Sequence, residues 1–143
     1  MDNKLRIAVA GLSGGFLGNG VLGALFSLPF IKSVLYNPSI QSQTFIAVTP
    51  LRNIPVSVMG LIILSVLHAY FYSAFKNSIP GTTWLKKGLF WGFTIWAMFW
   101  LFQEWFVYHT LLGEPYILNI LELVILFIGS AIEGIVIAYL LRK

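Results

Sequence analysis

Residues 117–141 read ILNILELVILFIGSAIEGIVIAYLL, a run of Ile, Leu, Val, Phe, Ala and Gly interrupted by Asn119, Glu122, Ser130, Glu133 and Tyr139. The run is longer than the ~20 apolar residues a helix needs to cross a bilayer, and far longer than an ordinary strand. Glu122 and Glu133 stand 11 positions apart, close to three full turns at ~3.6 residues each, so a helix carries both carboxylates on one face. Gly129 and Ser130 lie close to that face and Asn119 at its edge. One polar, small-residue stripe on an otherwise lipid-like helix should point at other helices rather than at lipid.

Outward from this helix, three more stretches have the same character. They run over about 7–31, 54–75 and 88–108. Pro55 is tolerated at the second, because a first-turn residue has no intrahelical use for its N–H. The fold class expected is an all-α integral membrane protein, a four-transmembrane-helix antiparallel bundle forming a single domain over 1–143. Residues 76–87 and 109–115 are short links, the first carrying the turn signal Pro80-Gly81, and short links make sequence neighbours antiparallel. Residues 33–53 form a longer polar connection with Pro38 and Pro50, in which a short interfacial helix is expected around Ser42 to Val48.

Composition agrees. The chain has 143 residues, 58% hydrophobic and 10% charged, against about 25% charged in soluble domains. Its mean hydropathy is +0.85, so the solvent for most of its surface is lipid. The absence of cysteine removes disulfides, thiolate metal sites and iron–sulfur clusters. The net charge of +4 does not indicate nucleic acid, because the basic residues flank apolar runs and act as orientation charges. Lys4, Arg6, Lys76, Lys86, Lys87, Arg142 and Lys143, seven of the nine Lys and Arg, fall at one end, and Lys32 and Arg52 at the other. Both termini are therefore expected on the cytoplasmic side of a bacterial inner membrane. The first apolar stretch exceeds a signal-peptide core in length and is taken as a span.

Ionisable groups inside spans are costly and usually face the bundle interior. The candidates are His68, Glu104, Glu122 and Glu133. His68 lies eight residues before Lys76 and Glu133 nine before Arg142, which places both roughly 12 to 14 Å from the same membrane face. Glu104 and Glu122 share a level near the opposite face. Tyr108, four residues after Glu104, is expected on the same side of its helix, with its hydroxyl near the Glu104 carboxylate.

The first helix carries small residues in rows. Gly11, Gly15, Asn19 and Gly23 recur every fourth position, with Gly14 and Gly18 beside them. Close helix packing is the expected use of these glycines. The alternative is a narrow passage with Asn19 as its polar group.

No phosphate-binding loop, nucleophile elbow, HExxH zinc motif or dinucleotide fingerprint is present. No catalytic residue, metal site or cofactor is assigned, and His68 and His109 lie on opposite membrane halves, against a bis-His haem. The functional expectation is an oligomeric proton-linked transporter or channel whose relay or substrate path uses His68, Glu104, Glu122, Glu133, Asn19 and Tyr108. Its partners would be the lipid bilayer and further copies of itself. The competing expectation is a non-transporting scaffold, assembly module or cofactor-binding subunit using the same groups for structure.

Overall fold

The computed structural model describes residues 2–142, over which the chain is helical with no strand. Lys143, counted above among the orientation charges, lies outside the described residues. Helix α1 spans Asn3–Phe26, not 7–31. The earlier stop has a local cause: Pro29 brings no N–H, and the residue before a proline is driven from the helical region. Leu28 accordingly sits at ψ 130°, and the chain restarts as α2, Pro29–Leu35. Helix α3, Gln43–Val48, is the short helix expected in the long connection, with the Ser42 hydroxyl accepting from the Phe45 N–H. Helix α4 spans Ile54–Phe75, with Pro55 in its first turn and the Asn53 side chain accepting from Val56 N–H.

The aromatic segment differs from a plain α-helix. It begins as α5, Trp84–Ile95, capped by Thr83, then runs on through π-helical stretches at Trp96–Trp100 and Gln103–Leu111. Helix α6, Tyr116–Leu140, follows a tight link in which Gly113 takes φ +71°, a conformation that favours glycine. Three helices, α1, α4 and α6, are long and apolar enough to cross a membrane.

Helix α6 packs against α1 on one side and α5 on the other, and α1 separates it from most of α4. Glycines set each approach. A Cβ on Gly11 would come within 2.6 Å of the Ser65 carbonyl of α4, and one on Gly15 would overlap the Ser65 side chain. On the adjoining edge of α1, a Cβ on Gly18 would lie 2.7 Å from the Gly129 carbonyl of α6, and one on Gly14 3.1 Å from that of Glu133. Gly23, expected in the same seam, is exposed and has nothing within 4 Å of an added Cβ, although Leu22 beside it packs on Ile125 and Leu126 of α6. The α5–α6 contact uses a pair not singled out above, Gly88 and Gly92, which face Gly134.

At the end where the chain termini lie, basic side chains cap helix ends. Arg6 Nε and Nη2 donate to the Leu140 carbonyl at 3.0 and 2.9 Å. Lys76 Nζ reaches the Leu141 carbonyl at 3.3 Å and Lys87 Nζ the Lys76 carbonyl at 2.5 Å. Cations at C-terminal carbonyls satisfy orphan acceptors and oppose the helix dipole. The outward faces are apolar: Phe16 is 80% and Met98 78% exposed, and α4 presents Val58, Ile62 and Phe71 outward.

Candidate functional site

At the opposite end of the bundle, the short link between the π-helix and α6 is folded inward. Glu114 N–H donates to the Tyr108 carbonyl at 3.0 Å and Gly113 N–H to that of His109 at 3.1 Å, which closes the turn and buries Glu114 completely. Residues of the long connection hold it from outside. Gln41 Nε2 donates to Glu114 Oε1 at 2.5 Å and to the Leu35 carbonyl at 2.9 Å, and the Ser42 hydroxyl donates to the Leu112 carbonyl. His109 Nδ1 lies 2.7 Å from the Glu114 carbonyl, which can only accept, so this nitrogen carries the proton. The His109 ring stacks on Tyr116 at 3.6 Å between centroids.

This turn delivers Glu114 to two other carboxylates. Oxygens of Glu104, Glu114 and Glu122 all lie within 4.8 Å of one another, and all three residues are buried. Asn119 sits among them, its Nδ2 donating to Glu114 Oε2 at 2.8 Å and to Glu104 Oε2 at 3.2 Å. Three of the chain's five acidic side chains thus converge on one point. Burial pushes the Glu114 carboxyl above the ordinary carboxylate range, against the pull of the Gln41 and Asn119 amides and of His109. Removing a carboxylate from water disfavours its charged form.

Glu104 and Glu122 form part of the wall of a cavity of about 530 Å³, with Asn19, Arg52 and Tyr108 on its other sides. Arg52 enters from the long connection and Asn19 from α1. The Asn19 amide donates to its own helix at the Gly15 carbonyl, 2.9 Å, and also borders a more apolar groove between α1 and α4.

Tyr108 lines the same cavity as Glu104, but its hydroxyl takes its hydrogen bond from another residue. The Tyr108 hydroxyl accepts from Gln103 Nε2 at 3.2 Å, five residues back. A π-helix closes i to i+5, not i to i+4, so the α-helical register assumed for this segment does not hold. The Thr110 hydroxyl shows the same spacing, donating to the Trp105 carbonyl at 2.8 Å.

In the other half of the bundle, His68 Nδ1 of α4 lies 2.9 Å from Glu133 Oε1 of α6. The two residues placed at one depth by counting are in contact. Glu122 and Glu133 share the buried stripe of α6 but serve separate groups, and their 11-residue spacing sets these ~16 Å apart along the helix.

Glu114 and Gln41 are not among the sequence candidates, and Arg52 is placed at this end only as an orientation charge. Glu114 stood in a seven-residue link, HTLLGEP, where solvent exposure is the default. The one available signal was that so short a connection between two long apolar helices keeps its carboxylate beside the first turn of α6, five residues from Asn119. Comparison with protein-family models, characterised proteins and solved structures finds no match for this chain. What the fold establishes is an all-helical protein with three helices long and apolar enough to span a membrane, consistent with a membrane protein.

Proposed function

We propose that the chain is a four-span inner-membrane protein that moves a small charged solute in exchange with protons, working as a homo-oligomer. The fourth span is Trp84–Leu111, whose π-helical turns keep the backbone hydrogen-bonded, as lipid requires. The clustering of basic residues at the terminus end supports cytoplasmic termini. The observation that carries the reading is the convergence of Glu104 and Glu122 on the wall of a cavity that Arg52 and Asn19 also line. Burying carboxylates at such a wall is unfavourable for stability alone, and intramembrane acids commonly mark solute or proton paths.

Two stations divide the work. The cavity at the loop end receives the solute, and the His68–Glu133 pair in the other half holds or releases a proton as its contact forms and breaks. Asn19 lies between them on the glycine edge of α1. A single protomer is narrow for a conduit, which favours assembly through the exposed apolar faces.

Purified protein in proteoliposomes with a trapped pH-sensitive dye tests this. An imposed gradient should drive proton movement that Glu133→Gln and His68→Asn each reduce roughly tenfold or more. Wild-type vesicles indistinguishable from empty ones would leave the polar groups a structural role, as in a scaffold or assembly module.

A further inference from the structure

We infer that Glu104, Glu114, Glu122 and Asn119 form a binding site for a hard divalent cation at the cavity wall. The inference rests on reading that cavity as a solute path, and it names the solute class.

The first observation is geometric. Ligand oxygens on opposite sides of a cation lie at twice the metal–oxygen distance, which for ~2.3–2.6 Å bonds is roughly 4.6–5.2 Å. The three carboxylate oxygens already fall within 4.8 Å of one another, a spacing that suits one shared cation once the Asn119 Nδ2 now lying between Glu104 and Glu114 turns away. Three buried carboxylates so close repel one another when ionised, and a divalent ion removes that repulsion.

The second observation is independent of the acids. Asn119 is 4% exposed, and its amide is inserted into the cluster with Nδ2 on Glu104 and Glu114. Its Oδ1, on the same amide, is buried without a hydrogen-bond partner. An orphaned buried carbonyl oxygen costs about 1–3 kcal/mol, and a cation is a partner that would satisfy it. A half-turn of the Asn119 amide about its Cβ–Cγ bond exchanges Nδ2 for Oδ1 where the carboxylates meet, replacing two N–H donors by one oxygen ligand.

Donor chemistry sets the class. All four ligands are oxygens, which suit Mg²⁺, Ca²⁺ and Mn²⁺ over thiolate- or imidazole-seeking metals. His109 is not in the set, since its Nδ1 is engaged by the Glu114 carbonyl. Arg52 lines the same cavity, but one positive charge does not cancel three carboxylates, and the site stays attractive to a divalent ion. Access runs from the cavity past Glu104 and Glu122, with Glu114 behind them.

The test is Mn²⁺ binding to the full-length protein in detergent, with free Mn²⁺ followed by electron paramagnetic resonance and no gradient present. Wild type should bind one Mn²⁺ per chain saturably, displaced by Ca²⁺ or Mg²⁺. Glu122→Gln and Asn119→Leu should each weaken binding roughly tenfold or more, while Asp2→Asn, which removes a carboxylate outside the site, should not. Circular dichroism and gel filtration of each variant separate loss of ligand from loss of fold. Absence of saturable wild-type binding at millimolar Mn²⁺, or equal binding by folded Glu122→Gln and Asn119→Leu, would overturn the inference. Mn²⁺ binding without vesicle transport would sink the transport reading alone, and proton movement without Mn²⁺ binding would sink the cation site alone.

Discussion

His68 and Glu133 meet at 2.9 Å across two helices, α4 and α6, that are mostly held apart by α1. The contact exists because α1 is narrow there: Gly14 and Gly18 leave room for Glu133, whose Cβ would lie 3.1 Å from a Cβ built on Gly18. Small residues on one helix thus determine whether polar groups on two others can touch. Within a membrane such a contact contributes about 0.6 kcal/mol on average, with a ceiling near 1.7. A double-mutant cycle of His68→Ala and Glu133→Ala, read by unfolding in detergent, should give a coupling of about 0.5–1.5 kcal/mol. A coupling of zero would mean that the pair contributes nothing net to stability.

The glycine rows of α1 should divide sharply in their tolerance. Gly15→Leu places side-chain atoms where Ser65 already sits and should abolish the monodisperse folded species on gel filtration. Gly18→Ala meets the Gly129 carbonyl at 2.7 Å, so α1 and α6 must separate, at a cost of about 1–3 kcal/mol. Gly23→Ala has open space around it and should be neutral or stabilising by up to about 1 kcal/mol. Thermal unfolding of the three variants checks the order, and equal destabilisation by Gly23→Ala and Gly18→Ala would contradict it.

Gln41 reaches from the long connection to the fully buried Glu114. Gln41→Ala removes one of two amide donors to that carboxyl, leaving Asn119, and should destabilise the protein by about 1–3 kcal/mol. Because Gln41 also donates to the Leu35 carbonyl, the connection should loosen as well. Hydrogen exchange of α2 and α3 should rise in the variant while that of α4 stays unchanged.

The seam between α5 and α6 depends on Gly92, whose Cβ would fall 2.5 Å from the Ser130 carbonyl. Gly92→Leu should displace the aromatic helix and further expose Trp91, now partly buried beside Tyr72 at 5.9 Å between ring centroids. A shift in tryptophan emission relative to wild type reads this, and an unchanged spectrum with unchanged stability would show that the seam tolerates bulk.

Topology has a direct test. Arg6 bonded to the Leu140 carbonyl puts both chain ends at one end of the bundle. Under the proposed inner-membrane reading with cytoplasmic termini, reporters active only in the periplasm should be silent at either terminus and active when inserted after Asn37. Activity of one terminal fusion and not the other would break the shared-end arrangement.

Composition and periodicity by themselves determine a good deal here. Apolar runs locate the helices, the 11-residue spacing puts Glu122 and Glu133 on one stripe, and depth counting pairs His68 with Glu133. These inferences hold because rise and twist along an α-helix are nearly constant. Two kinds of feature were decided elsewhere. The π-helical register of Gln103–Leu111 gives the Tyr108 hydroxyl Gln103 as its hydrogen-bond partner, and such a register leaves no clear mark in side-chain spacing because it is a property of the backbone hydrogen bonds. Glu114 joins Glu104 and Glu122 only because the link folds under Gln41 and Ser42, residues some 70 positions earlier. Helical periodicity says which side of a helix a residue occupies. Which neighbour that side meets, and which loop closes over it, follows from packing between distant segments, and that is settled only when the whole chain is folded.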